Sequence, residues 1–354
     1  MYTKKFPDDH FGTITKDIIR NLEKGQSIGV FGIPGYGQAF FAEQISHLLT
    51  NKYPDIHILK LNLELESNKI AAVEKKILEI TKAKNFDEIE LIKFLEQKKL
   101  IVILSEVNSP KHRKLFKFLN SIRWSNKENF AVLTVANYTL YTQQNDYIDS
   151  GKDIFFKIRR IGNFDLRGVK RIIRINNKEY NWEIPESNAR KILFLSGGNP
   201  ALVKAICFAM DEEGKAILDH PEKLINTQPL NFRLTNIARL ITQLSIDQQI
   251  HLGIINNNGT IFSELLALYT KVNEIEYLDK ILPDLTKTDR QILSVFIQNQ
   301  GKVIDKDQLS LILDQTADTY SEWAIYKAVA RVRDKVKDRY TIKTLKGRGW
   351  RMES

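Results

Sequence analysis

The chain is 354 residues long and 43% hydrophobic, which suits two or three domains with ordinary cores. Its 53 Lys and Arg against 43 Asp and Glu give a formal charge of +10, which favours an anionic partner such as nucleic acid, a solvated excess of lysine being the competing explanation. A single cysteine, Cys207, excludes a disulfide framework within the chain, and without an apolar N-terminal leader or a membrane-length run the expectation is a cytoplasmic protein that makes no membrane contact.

Residues Thr13 to Lys24 are predicted to form a helix that leads into a buried strand, Ser27 to Phe31. The strand runs into Gly32-Ile33-Pro34-Gly35-Tyr36-Gly37-Gln38-Ala39, and Phe40 to Thr50 reads as the next helix. Strand, glycine-rich loop and helix are the context a phosphate-binding loop needs, because backbone N–H groups and a helix N-terminus then face the anion. The frame is similar to a Walker A sequence as far as Gly37. Gln38 then stands where a lysine would reach the β- and γ-phosphates, and Ala39 where a hydroxyl would hold Mg²⁺.

A strand over Ile56 to Leu63 and amphipathic helices over Lys69 to Thr81 and Phe86 to Gln97 come next. The apolar run Leu100 to Leu104, tipped by Ser105 and Glu106, reads as a central parallel strand. A Walker B strand would end here in an Asp for the metal and a Glu to position water; Ser105 holds the Asp position and only Glu106 remains. Phe130 to Val135 is the following buried strand, and Asn137 beyond it is either a polar sensor residue or a strand-end turn residue. Ile154 to Ile161 is expected to close the sheet. Strands alternating with helices predict a parallel sheet covered by helices on both faces.

These features resemble the AAA+/STAND class of P-loop NTPases, and Ser196-Gly197-Gly198-Asn199-Pro200-Ala201 adds to the resemblance. In that class a Gly-Gly-Asn-Pro turn starts a lid helix close to the adenine; read without a family it is a loop with proline at the first helical position. Asp165 to Asn176 and Pro185 to Leu195 read as lid helices. Arg167, Lys170, Arg171 and Arg174 make the first of them basic, either as a solvated face or as a second contact with DNA or a protein. Leu230 to Tyr277 is expected to be helical. Within it, Leu244 to Ile250 ending at Asn258-Gly259 echoes Leu285 to Ile292 ending at Gln300-Gly301, as a degenerate winged helix used for packing or as a coincidence.

The C-terminal stretch is the most specific. Ile325, Val329, Val332 and Val336 form one apolar stripe on a helix that Ser321 caps, and Lys327, Ala330, Arg331 and Asp334 face the other way. Tyr340 to Thr344 and Trp350 to Met352 alternate as strands around a basic turn, Lys346-Gly347-Arg348-Gly349. From Ser321 to Arg351 there are ten Lys and Arg against three Asp and Glu. Such a helix fits a major groove, and an arginine on the hairpin reaches the minor groove; a solvated helix and hairpin is the plainer reading. Leu285 to Met352 resembles the effector domain of OmpR/PhoB-type response regulators, through the opening Leu285-Thr286, the Asn299-Gln300-Gly301 turn, Arg331-x-Arg333 and Gly347-x-Gly349-Trp350. The resemblance implies that Tyr326, Lys327, Ala330 and Arg331 read bases, that Arg333 belongs to a phosphate-contacting pair, and that Arg348 is the wing tip; Lys346 of the basic turn joins them as an expected DNA contact.

The expected organisation is a degenerate P-loop NTPase-like domain (1–162) and a helical lid (163–225). A helical region (226–280) and a winged helix-turn-helix DNA-binding domain (281–354) follow. The expected function is sequence-specific double-stranded DNA binding, as a transcriptional regulator. Gly32, Gly35, Gly37, Gln38, Ala39, Ser105 and Glu106 would mark a nucleotide site without catalytic residues, because phosphoryl transfer depends on charge neutralisation that this set lacks. That module would then serve as scaffold, sensor, or surface for a homo-oligomer or protein partner. The alternatives are a divergent ATPase using Glu106, and a scaffold whose winged helix binds protein. The six histidines are scattered without ligand spacing, so no metal site is expected, and no cofactor.

Overall fold

The computed structural model describes residues 11–256, 260–272, 284–313, 321–337 and 340–353. The chain divides into two compact units, Met1–Leu266 and Ala267–Ser354. The helices expected to form a separate lid therefore share one unit with the sheet.

In the first unit, five strands form a parallel sheet: β1 (Ile28–Gly32), β2 (Ile56–Asn62), β3 (Lys99–Val107), β4 (Phe130–Asn137) and β5 (Ile158–Arg160). Their order is β2-β3-β4-β1-β5, with β1 flanked by strands that follow it late in the chain. This is a P-loop NTPase-type arrangement, and its central strands β1, β3 and β4 are buried on both faces. Hence Leu100 to Leu104 is continuously apolar rather than alternating. Gly32 at the end of β1 pairs with Asn137 at the end of β4, so the carboxyl ends of the central strands open onto one crevice.

Helix α1 (Thr13–Glu23) precedes β1, and α2 (Gln38–Lys52) follows the loop. The helices α3 (Lys69–Thr81) and α4 (Glu88–Gln97) are capped by Asn68 and Asp87, whose side chains accept backbone N–H groups of the first turn. An unanticipated helix, α5 (Arg113–Ser125), supplies the crossover from β3 to β4, and the short helices α6 (Thr139–Thr142) and α7 (Gln144–Gly151) follow β4. The last strand is shorter than the apolar run that suggested it. Ile154 and Phe155 are buried in a turn, where Phe155 packs edge-on against Phe116 at 5.0 Å and 90°. Aromatic packing, not ladder hydrogen bonding, uses the start of that run.

The helices α8 (Leu166–Tyr180), α9 (Ala189–Ser196), α10 (Pro200–Glu213), α11 (Pro221–Leu224) and α12 (Gln228–Gln243) complete the cover, α10 packing on both α8 and α12. Cys207 on α10 lies fully in this core, and burial pushes its thiol up to about 12. The expected helical stretch from Leu230 is broken. After α12 come α13 (Ile246–Leu252), an antiparallel bridge between Ile255 and Ile261, and α14 (Glu264–Val272). Gly253 ends α13 in the left-handed region, at φ 70°. Ser245 and Gln248 form a capping box like that of Thr286 and Asp289, which matches the expected echo at its start. Asn258, Gly259 and residues 273–283 lie outside the described residues.

The second unit contains the helices Lys287–Gln298, Lys306–Ile312 and Glu322–Val336, with a three-stranded antiparallel sheet of order β6-β8-β7. Its strands are β6 (Val303–Ile304), β7 (Thr341–Leu345) and β8 (Gly349–Glu353). Ser321 caps the long helix by accepting the Ala324 N–H. The stripe Ile325, Val329, Val332 and Val336 has no exposed surface, and it joins Phe296, Ile342, Trp350 and Met352 in one core. Each such side chain contributes roughly 1.5–3 kcal/mol by leaving water. Gly349 is required where it stands: at φ 121° a Cβ would lie 2.1 Å from the Ile304 carbonyl oxygen. Three helices and a hairpin wing make this a winged helix-turn-helix domain.

Candidate functional site

The glycine-rich loop joins β1 to α2, and its polar tip is turned inward. The Gln38 amide donates to the carbonyl oxygens of Gly32 at 2.9 Å and Ile33 at 3.1 Å. This amide fills the mouth of the loop with a neutral group that is already bonded to it. Ala39 beside it offers no side-chain oxygen to a cation. Gly37 adopts φ 77° and leads into α2 without a side-chain cap.

Ser105 and Glu106 sit at a bulge where the pairing of β3 with β4 shifts between Leu104 and Val107. The Ser105 hydroxyl points to the Leu61 carbonyl at 3.5 Å. Glu106 takes φ 55°, a conformation uncommon for a side-chain-bearing residue. Burial, with the nearby Glu64 carboxylate, raises its pKa above the ordinary glutamate value, against a lowering hydrogen bond from Asn108. Asn137 is a strand-end turn residue: its Oδ1 accepts the Thr139 N–H at 2.9 Å and the Thr139 hydroxyl at 2.5 Å.

The turn Gly197–Pro200 meets the loop directly. Asn199 is fully buried. Its Oδ1 accepts the N–H groups of Ala201 and Leu202, and its Nδ2 donates to the Pro34 carbonyl at 3.2 Å. The Ala201 N–H donates to the Gly35 carbonyl at 3.1 Å. Gly35, at φ 90°, leaves room for this approach, since a Cβ there would fall 2.7 Å from Asn199 Oδ1 and 2.8 Å from Ala201 Cβ. Tyr36 is buried against the same region, and desolvation drives its phenol pKa far above the usual value. Together Gly35, Gly37, Gln38, Ala39 and Glu106 line a cavity of about 450 Å³ with residues of α8, α10 and α12. The structure thus brings Gly35, Gly37, Gln38, Ala39 and Glu106 to one cavity, while Gly32 stays at the end of β1 outside its lining and Ser105 faces β2.

On the winged helix, Tyr326, Lys327 and Ala330 are exposed on the long helix. Lys327 Nζ lies 3.8 Å from the ring centroid of Trp323, which is 66% exposed. Tyr326 stands edge-on to Trp350 at 5.0 Å, with Lys306 Nζ 5.4 Å from its ring. Lys346 and Arg348 are exposed at the hairpin tip, where the Arg348 N–H closes the turn onto the Leu345 carbonyl.

Two arginines of the predicted set also make contacts inside the domain, Arg331 with 47% of its side chain still exposed. Arg331 pairs with Asp289 Oδ1 at 2.7 Å, and Lys335 approaches Oδ2 of the same carboxylate at 3.1 Å. The Asp289 side chain has no exposed surface. Burial would raise its pKa, but hydrogen bonds from Arg331, Lys335 and Thr286 hold it below the ordinary aspartate value. Arg333 donates to the Thr344 hydroxyl at 2.7 Å on β7, and its Nε is buried without a hydrogen-bond partner. Trp323 and Asp289 do not stand out as functional in the sequence. The spacing Thr286-x-x-Asp289 does mark a capping box, and Trp323 is four residues before Lys327, one helical turn.

Among the described residues no group of His, Cys, Asp and Glu is placed to hold a metal ion, and no helix is long and apolar enough to cross a membrane. A comparison with curated proteins returns no match. Among solved structures, the chain is similar to the Aeropyrum pernix ORC1 protein in complex with DNA (11% identity, TM-score 0.39, 99% of this chain and 89% of that one). It is also similar to a Walker-type ATPase of Pyrococcus abyssi (12%, 0.43, 98% and 93%) and to Cdc6p from Pyrobaculum aerophilum (10%, 0.41, 98% and 90%). Residues 282–352 match the family described as transcriptional regulatory protein, C terminal, the OmpR/PhoB-type domain, joined in this chain to a unit of P-loop NTPase-type fold.

Proposed function

We propose that the protein is a cytoplasmic transcription regulator that binds double-stranded DNA sequence-specifically, and that its P-loop-type unit acts as a sensing, scaffolding or self-associating module without hydrolysing nucleotide. The match of residues 282–352 to a transcriptional regulatory domain carries this reading. It is supported by exposed cations at both expected contact points, Lys327 on the long helix and Lys346 and Arg348 on the wing. In a major groove, Tyr326, Lys327 and Ala330 would face base edges while the wing tip reaches the adjacent backbone or minor groove. Arg331, with 47% of its side chain exposed, would add a contact to that face while its pair with Asp289 fixes the helix. Arg333, held beside Thr344, would present its other Nη–H groups to phosphate.

The absence of turnover follows from chemistry at the loop. Phosphoryl transfer requires cations to neutralise the charge that develops on the transferred group. Gln38 is neutral and engaged with loop carbonyls, Ala39 has no hydroxyl, and Ser105 replaces the metal carboxylate. The test is selection of bound duplexes from a random pool by the full chain, with ATP and GTP turnover measured on the same preparation with Mg²⁺. Enrichment of a defined sequence without turnover is expected. Recovery of no preferred sequence would overturn specific recognition. Turnover that disappears in Glu106→Gln would make the protein an unconventional ATPase.

A further inference from the structure

We propose that the cavity between the glycine-rich loop and the helices α8, α10 and α12 binds an organic anion with an apolar body, without Mg²⁺, and that Arg233 and Asn176 hold its anionic end. The inference rests on the reading of the loop as non-hydrolytic and names the kind of ligand that the unit would sense. The cavity volume, about 450 Å³, is that of a small-molecule pocket, for which about 300–1,000 Å³ is usual. Phe40, Phe164, Ile172 and Ile175 give it apolar walls.

Two polar groups in that wall are unsatisfied. Arg233 on α12 is half-buried, its Nε is buried without a hydrogen-bond partner, and no carboxylate pairs with it among the described residues. Asn176 on α8 is 5% exposed, and its Nδ2 is likewise buried without a partner. Buried donors are almost always bonded in folded proteins, because an unpaired one has lost its water without gaining a partner. Both helices pack on α10, so two residues from different elements, each with an unsatisfied buried donor, line one cavity. Lys204 on α10 adds a cation between them in sequence, held by the Tyr180 hydroxyl and 4.4 Å from the centroid of its ring. A guanidinium and an amide in the wall of one cavity suit a flat or tetrahedral oxyanion.

The charge layout separates this ligand from a nucleoside triphosphate. The loop side of the cavity carries the neutral, engaged Gln38 and the carboxylate of Glu106, with Glu64 near it. A triphosphate seated in the loop would meet like charge with no lysine and no metal ligand. The cations lie on the helical side instead, and Glu179 is the carboxylate among them. The anionic group therefore belongs at Arg233 and the apolar body toward Tyr36 and Phe40.

The experiment uses the full chain in EDTA with anilinonaphthalene sulfonate, an aromatic sulfonate, followed by fluorescence and calorimetry. One saturable site per chain is expected, insensitive to added Mg²⁺, on a protein whose melt stays cooperative. Arg233→Gln should weaken it at least tenfold, and Ile175→Trp, which fills the cavity and keeps the charges, should abolish it. If Arg233→Gln does not fold, Ile175→Trp decides. Saturable binding unchanged in the folded variants, or no saturable binding, overturns the proposal. Displacement by ATP that requires Mg²⁺ also overturns it and returns the cavity to nucleotide. Turnover on the same preparation would instead sink the non-hydrolytic reading, and DNA binding is unaffected by either result.

Discussion

Arg331 and Asp289 are joined at 2.7 Å, and Asp289 has no solvent-exposed side-chain surface. This pair ties the long helix Glu322–Val336 to the first turn of the helix Lys287–Gln298. A guanidinium committed to a buried carboxylate is a structural strut, so its removal should be read in stability first. Arg331→Ala should destabilise the second unit by roughly 1–3 kcal/mol, leaving Lys335 and Thr286 to satisfy the carboxylate alone. Lys327→Ala, on an exposed side chain, should leave the melting temperature unchanged and weaken DNA binding. Thermal melts beside binding isotherms separate the two; equal melting temperatures for both variants would refute the strut.

The same carboxylate sets an acid limit. Asp289 has a folded-state pKa below its unfolded value, so its contribution is fully present above the ordinary aspartate range. It is lost as pH falls through the depressed folded value. Asp289→Asn should therefore lower stability near neutral pH, and its melting temperature should converge with that of the parent in strong acid. A stability difference that stays constant from neutral pH into acid would count against this account.

Glu106 has the opposite sign. Its pKa is raised by burial and by Glu64, so ionisation is disfavoured in the folded state. The penalty is absent below the ordinary glutamate pKa, appears as pH rises through it, and is complete above the folded value. Glu106→Gln should accordingly match the parent in acid and be more stable at neutral pH, as read from melting temperatures across that range. A destabilised Glu106→Gln at neutral pH would show instead that the carboxylate makes a contact worth more than its burial costs.

Gly35 tests how closely the turn at Asn199 is seated on the loop. An alanine there adds a methyl 2.7–2.8 Å from Asn199 and Ala201 at φ 90°, so both the space and the backbone oppose it. Gly35→Ala should cost roughly 1–3 kcal/mol, measured by denaturant unfolding. Gly214→Ala also has positive φ but open space around it, and should cost less. Equal losses would mean that backbone conformation alone, not packing against the turn, governs Gly35.

Much of this architecture is legible in the sequence because it rests on local pattern. The continuous apolar run Leu100–Leu104 marks a strand buried on both faces, and the stripe Ile325, Val329, Val332 and Val336 marks the buried side of the long helix. Gln38 and Ala39 are visible as departures from a motif, since a motif is a matter of adjacent residues. What is not legible depends on residues distant in sequence. That Arg331 is bonded to Asp289, forty-two positions away, is nowhere visible in the local pattern. Ile154 and Phe155 read as strand until Phe116 and Tyr147 show where aromatic packing takes them. Asn176 and Arg233 carry no motif at all, and only the packing of α8 and α12 on α10 brings them to one cavity.

The most direct test of DNA recognition by the winged helix is the salt dependence of binding. The full chain and the variant Lys327→Ala/Lys346→Ala/Arg348→Ala would be titrated onto a duplex recovered by selection, across a series of salt concentrations. Each phosphate neutralised by the protein adds about 0.9 to the log–log slope, through release of condensed counterions. The account predicts a linear, steep dependence for the parent and weaker binding by the variant at every salt concentration. The variant's slope should be shallower by about one for each phosphate that its alanines leave unneutralised, with an unchanged melting temperature. Identical affinity and slope for the two proteins would contradict it and place the DNA-binding surface, if there is one, elsewhere on the chain.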